Sequence, residues 1–308
     1  MKHNFTITAI AAALLFLSPD VNAQQPAKRF GRPVEYRKCG TTEYEALLKR
    51  KNPQRATTQQ FEQWMAPKAA QAKLNRLQMS NINTSVFTTN QVVTIPVVVH
   101  VIHNGDAVGQ NENIAEAQIL SQITVLNQDF RRMLNTPGHN TNPVGADAEI
   151  QFCLAQRDPA GLNTSGINRY ALGSEDGWEV EDIEVLKAQT QWDPTRYLNI
   201  WIVNEMYIGG IFAVAGYAQF PQQSGLPGLD GGSISEEANT DGVVIAANCF
   251  GSSDIYPGGF YNPGQDKGRT TTHEVGHFFG LRHIWGDEED CMGNDFCADT
   301  PVAASTTS

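Results

Sequence analysis

The chain has 308 residues, 41% of them hydrophobic and 18% charged, and a formal net charge of −11. This composition suits one large globular domain plus a smaller flanking piece, and an acidic chain without basic clusters excludes nucleic acid as a partner. The apolar run at residues 7–17 is too short to span a bilayer and no later segment is long enough, which excludes stable membrane insertion.

That run is instead part of a targeting signal. Lys2 and His3 precede it and Val21-Asn22-Ala23 offers a small-residue cleavage site, so residues 1–23 read as a signal peptide and the product as secreted or periplasmic. Export permits disulfides among Cys39, Cys153, Cys249, Cys291 and Cys297, but an odd count leaves one thiol to be explained otherwise. The chain is expected to act as a monomer.

Residues 24–86 are richer in Lys and Arg than the rest. Two helices are predicted there, over 42–51 and 57–79, followed by a polar linker. This stretch reads as a removable prosegment outside the main core. Within it, Arg37-Lys38-Cys39-Gly40 places a thiol between cations. Neighbouring cations lower a cysteine pKa and a thiolate binds zinc, so Cys39 could hold a metal site latent; the alternative is an ordinary cysteine, bridged or free.

The main domain, 87–308, opens with the β-branched run at 92–103, a strand buried on both faces, with Pro96 expected at a bulge or at the strand's start. His100 and His103 in this run read as core or strand-end histidines. A helix over 113–130, with Ile114, Ile119, Ile123, Leu126 and Phe130 as its stripe, leads to a strand at 149–156, suggesting a βαβ crossover. A short helix at 180–190 and a strand at 196–203 follow. Residues 209–232 are rich in glycine and proline, and the Gly216, Tyr217, Ala218, Gln219, Phe220 stretch before Pro221 fits an edge strand that could hold an extended peptide, or simply an edge beside a loop. One more strand lies at 241–249.

The chemistry is carried by the stretch from Thr270 to Asp287. His273 and His277, four apart on a helix, project from one face and can both reach one ion. Gly280 supplies the left-handed residue that ends the helix, and the turn returns His283 as a third ligand. Three protein ligands leave a tetrahedral zinc one open position, the mark of a catalytic site. Glu274, adjacent but rotated, is placed to act as general base on a zinc-activated water. The acidic stretch that follows, Asp287 to Asp299, is a solvated loop or a calcium site.

The His273–His283 string is the zinc signature of the metzincin metallopeptidases. With Ile95-Pro96-Val97-Val98-Val99-His100-Val101-Ile102, Gly216-Tyr217-Ala218-Gln219-Phe220-Pro221, Gly268-Arg269-Thr270 and the stretch from His283-Ile284-Trp285-Gly286-Asp287 to Asp299-Thr300-Pro301, the chain resembles the pappalysin family, the pregnancy-associated plasma protein-A-like peptidases, and its shorter bacterial members. The resemblance implies an α/β (α+β) metzincin-like zincin domain: a mixed twisted sheet with an antiparallel edge strand, an active-site helix and a cleft below the edge, preceded by a mainly helical prosegment. It also implies endopeptidase activity, with cleavage often beside basic residues, and it favours Cys39 as a zymogen switch. Metzincins place a methionine turn well downstream of the third histidine, whereas the only later methionine here is Met292. The chain is therefore expected to be C-terminally incomplete, with Cys291 and Cys297 lacking partners, or pairing with each other or with Cys249. The expected function is a secreted zinc endopeptidase acting on protein or peptide substrates and made as a zymogen. The alternative is a zinc-binding but inactive remnant or binding protein.

Overall fold

The computed structural model describes residues 28–29, 32–33, 35–81, 92–173, 176–219, 240–287, 292–298, 300–301 and 303–304. The expected signal peptide, Phe220, and Glu288, Glu289, Asp290 and Asp299 of the acidic stretch lie outside them.

The apolar run at the start of the main domain forms β4 (Val93–Ile102), whose last six residues are all buried. It is the spine of a six-stranded sheet. On one side β4 pairs in parallel with β5 (Ile150–Leu154) and, further along, with β6 (Ile167–Tyr170). On the other it pairs in parallel with β8 (Leu198–Val203), which pairs with β12 (Gly242–Ala246). β11 (Gly216–Ala218) closes that side of the sheet antiparallel to β12. The mixed α/β class, with an antiparallel edge strand on an otherwise parallel sheet, is as the sequence predicts. Pro96 sits at no bulge: it stands in register opposite Cys153, ahead of Val97, where pairing with β8 begins. Its missing N–H therefore falls outside the two-sided part of the strand.

Helix α3 (Glu116–Phe130) connects β4 to β5 and buries Ile119, Ile123 and Leu126. It starts three residues later than its apolar stripe suggests. Asn113 is held in the preceding turn, where its side-chain amide donates to Asp106 O at 2.6 Å. α4 (Val180–Thr190) matches its sequence boundaries and buries Val180, Ile183 and Leu186. Helix α5 (Arg269–Phe278) packs against β11, β12 and α3. Two buried glutamines of α3 hold the loop leading into it. Gln118 donates to Phe250 O and Phe260 O, and Gln122 to Gly268 O.

The N-terminal stretch forms a short hairpin, β1 (Lys28–Arg29) with β2 (Arg32–Pro33), then β3 (Glu35–Arg37), α1 (Thr41–Lys51) and α2 (Thr58–Asn81). The two helices lie where their patterns predict. β3 is an addition: it joins a second sheet, running parallel to β10 (Phe212–Val214), which pairs with β9 (Met206–Ile208) and through it with β7 (Trp178–Glu179). The expectation that this stretch lies outside the main core is corrected. Tyr44 and Leu48 of α1 are 0% and 1% exposed and belong to the same apolar cluster as β4, β8 and β12. The α1 face that meets β11 carries the apolar residues, so it is buried as core.

Candidate active site and metal centre

α5 begins after Gly268, whose φ of +72° gives the backbone a left-handed turn. Four residues apart on this helix, His273 and His277 bring their Nε2 atoms to 3.0 Å. The helix ends at Phe278, and Gly280, at φ +92°, reverses the chain. The reversal carries His283 back until its Nε2 stands 3.2 Å from each of the other two. All three predicted ligands thus converge. Nitrogens about 2.0–2.1 Å from a tetrahedral zinc stand roughly 3.3 Å apart, so the spacing fits that ion.

Protonation points the same way. The Nδ1 of His277 donates to Leu281 O at 2.8 Å, and that of His283 to Asp287 Oδ1 at 2.5 Å. A neutral ring held in this way presents its lone pair at Nε2. Burial and the neighbouring rings push the pKa of His277 down to about 3, and burial together with the His283 ring lowers that of His273 to about 4 although this residue keeps an exposed edge. Three imidazole nitrogens this close together form a donor set that fits a soft or borderline divalent metal lying among them. Asp287 was not singled out among the ligands' partners from the sequence. A carboxylate four residues after a ligating histidine is the available signal, since a metal-bound imidazole almost always donates its other N–H to an oxygen.

Glu274 is fully buried beside the histidines. Burial pushes its pKa up to about 8, against hydrogen bonds from Thr41 and Cys39 that pull it down. Oε2 accepts from Thr41 Oγ1 at 2.8 Å, whereas Oε1 has no hydrogen-bond partner among the described residues. Gly216 of β11 lies against it: a Cβ there would come within 2.9 Å of Glu274 Cγ, so the edge can approach the carboxylate only with glycine at this position.

Cys39 completes the cluster. Its Sγ lies within 4.8 Å of a ring nitrogen of each of the three histidines and 3.6 Å from Glu274 Oε2. The idea that flanking cations make it a thiolate is corrected: Arg37 is engaged with Glu35 and Glu43 and covers the Phe212 ring. Burial and the Glu274 charge raise the thiol pKa instead. Cys39, Cys153 and Cys249 carry no disulfide, and Cys291 lies outside the described residues. His100 stays in the sheet, fully buried, far from this cluster in role and in partners.

The N-terminal stretch also occupies the edge. Ala215 N donates to Arg37 O at 3.1 Å, Gly40 N to Gly216 O at 2.8 Å, and Ala218 N to Thr41 Oγ1 at 2.9 Å. One hydroxyl, that of Thr41, therefore bridges the edge strand and the buried carboxylate. Thr42 reaches Asp287 Oδ1 at 3.1 Å. Neither threonine is distinctive in sequence; each matters through contacts more than 200 residues away along the chain.

No family model matches the chain. It is 39% identical to mature mirolysin of Tannerella forsythia solved with a cleaved peptide, with a TM-score of 0.55 over 70% of this chain and 74% of that one. The chain belongs to the metalloprotease family of mirolysin. A promirolysin mutant from the same organism is 36% identical with a TM-score of 0.56, and there the match takes in 86% of this chain and 76% of the other. The greater coverage of this chain shows that more of it has a counterpart in the pro-form than in the mature one. Extracellular metalloproteases of Arthroderma benhamiae and Podospora anserina are 26% and 29% identical over 70% and 93% of this chain. The chain spans 61% of the length of the first of these relatives and 76% of the second. Among the described residues no helix of this mirolysin relative is long and apolar enough to cross a membrane.

Proposed function

We propose that the chain is a secreted, zinc-dependent endopeptidase of the pappalysin-type metzincins, made as a zymogen. Residues 1–23 serve as signal peptide, 24–86 as prosegment and 87–308 as the catalytic part. The observation that carries this reading is the convergence of three imidazole Nε2 atoms beside a buried carboxylate, directly under a sheet edge. His273, His277 and His283 hold the metal. Zinc bound there supplies a Lewis acid that polarises a carbonyl and lowers the pKa of a water or thiol beside it.

The chain's own groups do the rest. Glu274 takes a proton from the attacking water at its carboxylate and passes it to the leaving amine. Asp287 holds the His283 ring by its Nδ1–H and fixes which nitrogen faces the metal. Gly216 O and Ala218 N offer a peptide backbone one acceptor and one donor on the edge strand, with Tyr217 and Gln219 continuing that wall. Those two atoms, with Ala215 N and Glu274 Oε2, are covered by the N-terminal stretch, and Cys39 Sγ stands within 4.8 Å of a ring nitrogen of each histidine. Latency follows from simple occupancy. The cleaved peptide held by mirolysin and the pro-form known for that protein support both halves of the reading.

Cleavage of casein by the purified chain tests it. Activity that is abolished by a chelator, restored by zinc and absent in Glu274→Ala with zinc still bound is the expected result. A chain that binds zinc and cleaves nothing after prosegment removal would instead be a metal-binding protein without catalysis.

A further inference from the structure

Helix α1 reaches deeper than the two threonines at its start. Tyr44, one turn on from Thr41, is fully buried. Its ring lies against Tyr217 with centroids 4.6 Å apart, and its hydroxyl donates to Gln219 Oε1 at 2.9 Å. Tyr217 and Gln219 are two residues apart at the sheet edge and share a face. Behind them, Lys187 Nζ of α4 stands 5.8 Å from the centre of the Tyr44 ring, 5.6 Å from Tyr217 and 5.2 Å from Trp201. It pairs with Glu184 Oε1 at 2.8 Å, and both side chains are 0% exposed.

The polar groups of this socket are almost all satisfied from within the main domain. Glu184 accepts from Lys187, from Tyr217 Oη at 3.1 Å and from Thr240 Oγ1 at 2.9 Å, while Gln219 Nε2 donates to Asp241 Oδ1 at 3.0 Å. Gln219 Oε1 differs. Its close donor is the Tyr44 hydroxyl, and the other, Lys187 Nζ, is at 3.5 Å. The socket thus has aromatic walls, a cation over the ring face and one acceptor at its end. That is the chemistry of a 4-hydroxyphenyl group: the ring is buried against apolar and cationic neighbours and the hydroxyl donates to a fixed oxygen.

Its place matters as much. Helix residues three apart are neighbours, about 5–6 Å between Cβ atoms. Thr41 lies on Glu274 and on Ala218 N, so the socket opens about one or two residues' length along a peptide laid on the same edge, at about 3.3 Å per residue.

We propose that this socket is a recognition site for a tyrosine side chain, filled by Tyr44 while the prosegment is docked and by a tyrosine of the substrate once it has gone. The second occupant rests on the protease reading above. A phenylalanine fills the walls but leaves Gln219 Oε1 without its close donor, so tyrosine is preferred roughly three- to tenfold, the value of one hydrogen bond.

The test starts from the full-length chain carrying Tyr44→Ala, with p-cresol and toluene as probes and the unfolding temperature as readout. A saturable rise with p-cresol that exceeds the rise with toluene is expected, and Gln219→Leu added to Tyr44→Ala should reverse that order. No response to p-cresol, or an equal response to both, overturns the site. Should Tyr44→Ala not fold, Tyr44→Phe takes its place. It should lower the unfolding temperature in the parent chain and not in Gln219→Leu, and no loss in the parent overturns the proposal. The activated chain is then given a peptide library, where one position near the cut should favour tyrosine over phenylalanine. Cleavage without that preference overturns the substrate role. Failure to cleave any peptide sinks the protease reading alone, and the p-cresol result still decides the site.

Discussion

At the scale of single residues, His100 separates what a buried histidine does in the sheet from what three do at the metal centre. Asn199 donates to Trp192 O and accepts from Trp192 N, which fixes its amide, so the His100 nitrogen facing Asn199 Oδ1 at 2.9 Å carries the proton. The ring is neutral and stacked on Trp201, and burial lowers its pKa to about 4. The unfolded chain takes up this proton near pH 6.5 and the folded chain only near pH 4, so stability should fall as pH drops through that window and level off below it. The loss is roughly 3 kcal/mol at most, at about 1.4 kcal/mol per pH unit. Replacing His100 with phenylalanine should flatten the slope of urea midpoint against pH between about 6.5 and 4; an unchanged slope would assign the effect to other groups. Cys39 makes a different kind of prediction. Cys39→Ala should shorten the time to self-processing, measured by gel, while the Thr41 and Thr42 contacts still delay it; a maturation rate equal to the parent's would remove the thiol from latency. His273, Glu274 and His277 are legible in sequence because helical spacing brings them together, and His283 because Gly280 marks the turn that returns it. Asp287 and Thr41 are not, because their roles depend on a turn and on a contact across most of the chain.

Elements place these residues, and the turn after α5 is the one on which the metal centre depends. Gly280 is at φ +92°, and a Cβ there would meet the Phe61 ring of α2 at 2.9 Å. Gly280→Ala therefore combines a left-handed penalty of about 1–2 kcal/mol with a clash against α2. Since His283 follows the turn, weaker zinc binding by titration is expected together with a lower unfolding temperature, and unchanged zinc affinity would show that the turn does not set the ligand geometry. Most elements could be read from periodicity: α4 to the residue, and β4, β8 and β12 within a few residues. β3 could not. Three residues carry no period, and its hydrogen-bond partners come from β10, about 175 positions further on. The late start of α3 was equally hidden, since the stripe through Ile114 says nothing about the side chain of Asn113 capturing a backbone carbonyl.

For the whole molecule, metal binding and folding are one equilibrium. His283 lies beyond the turn from His273 and His277, so a chain that unfolds loses the third ligand and with it most of its affinity. Zinc at a hundredfold excess over its dissociation constant should stabilise the fold by about 2.7 kcal/mol, visible as a higher unfolding temperature that a chelator reverses. An unfolding temperature indifferent to both would mean that the three imidazoles bind no metal. The βαβ crossover was readable from the order of strands and helices, and the mixed sheet with its antiparallel edge from the family resemblance. The union of the N-terminal stretch with the core was not, because composition marks it as different in texture and only the packing of Tyr44 and Leu48 shows that it is continuous with the interior. That continuity has a kinetic consequence. Were the chain cut between α2 and β4, the two pieces would stay joined through side chains worth about 1.5–3 kcal/mol each, and through the backbone bonds along the edge. The scissile event and the appearance of activity would then be separate in time. Dilution would raise the fraction of pieces that part, so a nicked sample would be more active per molecule the thinner it is spread.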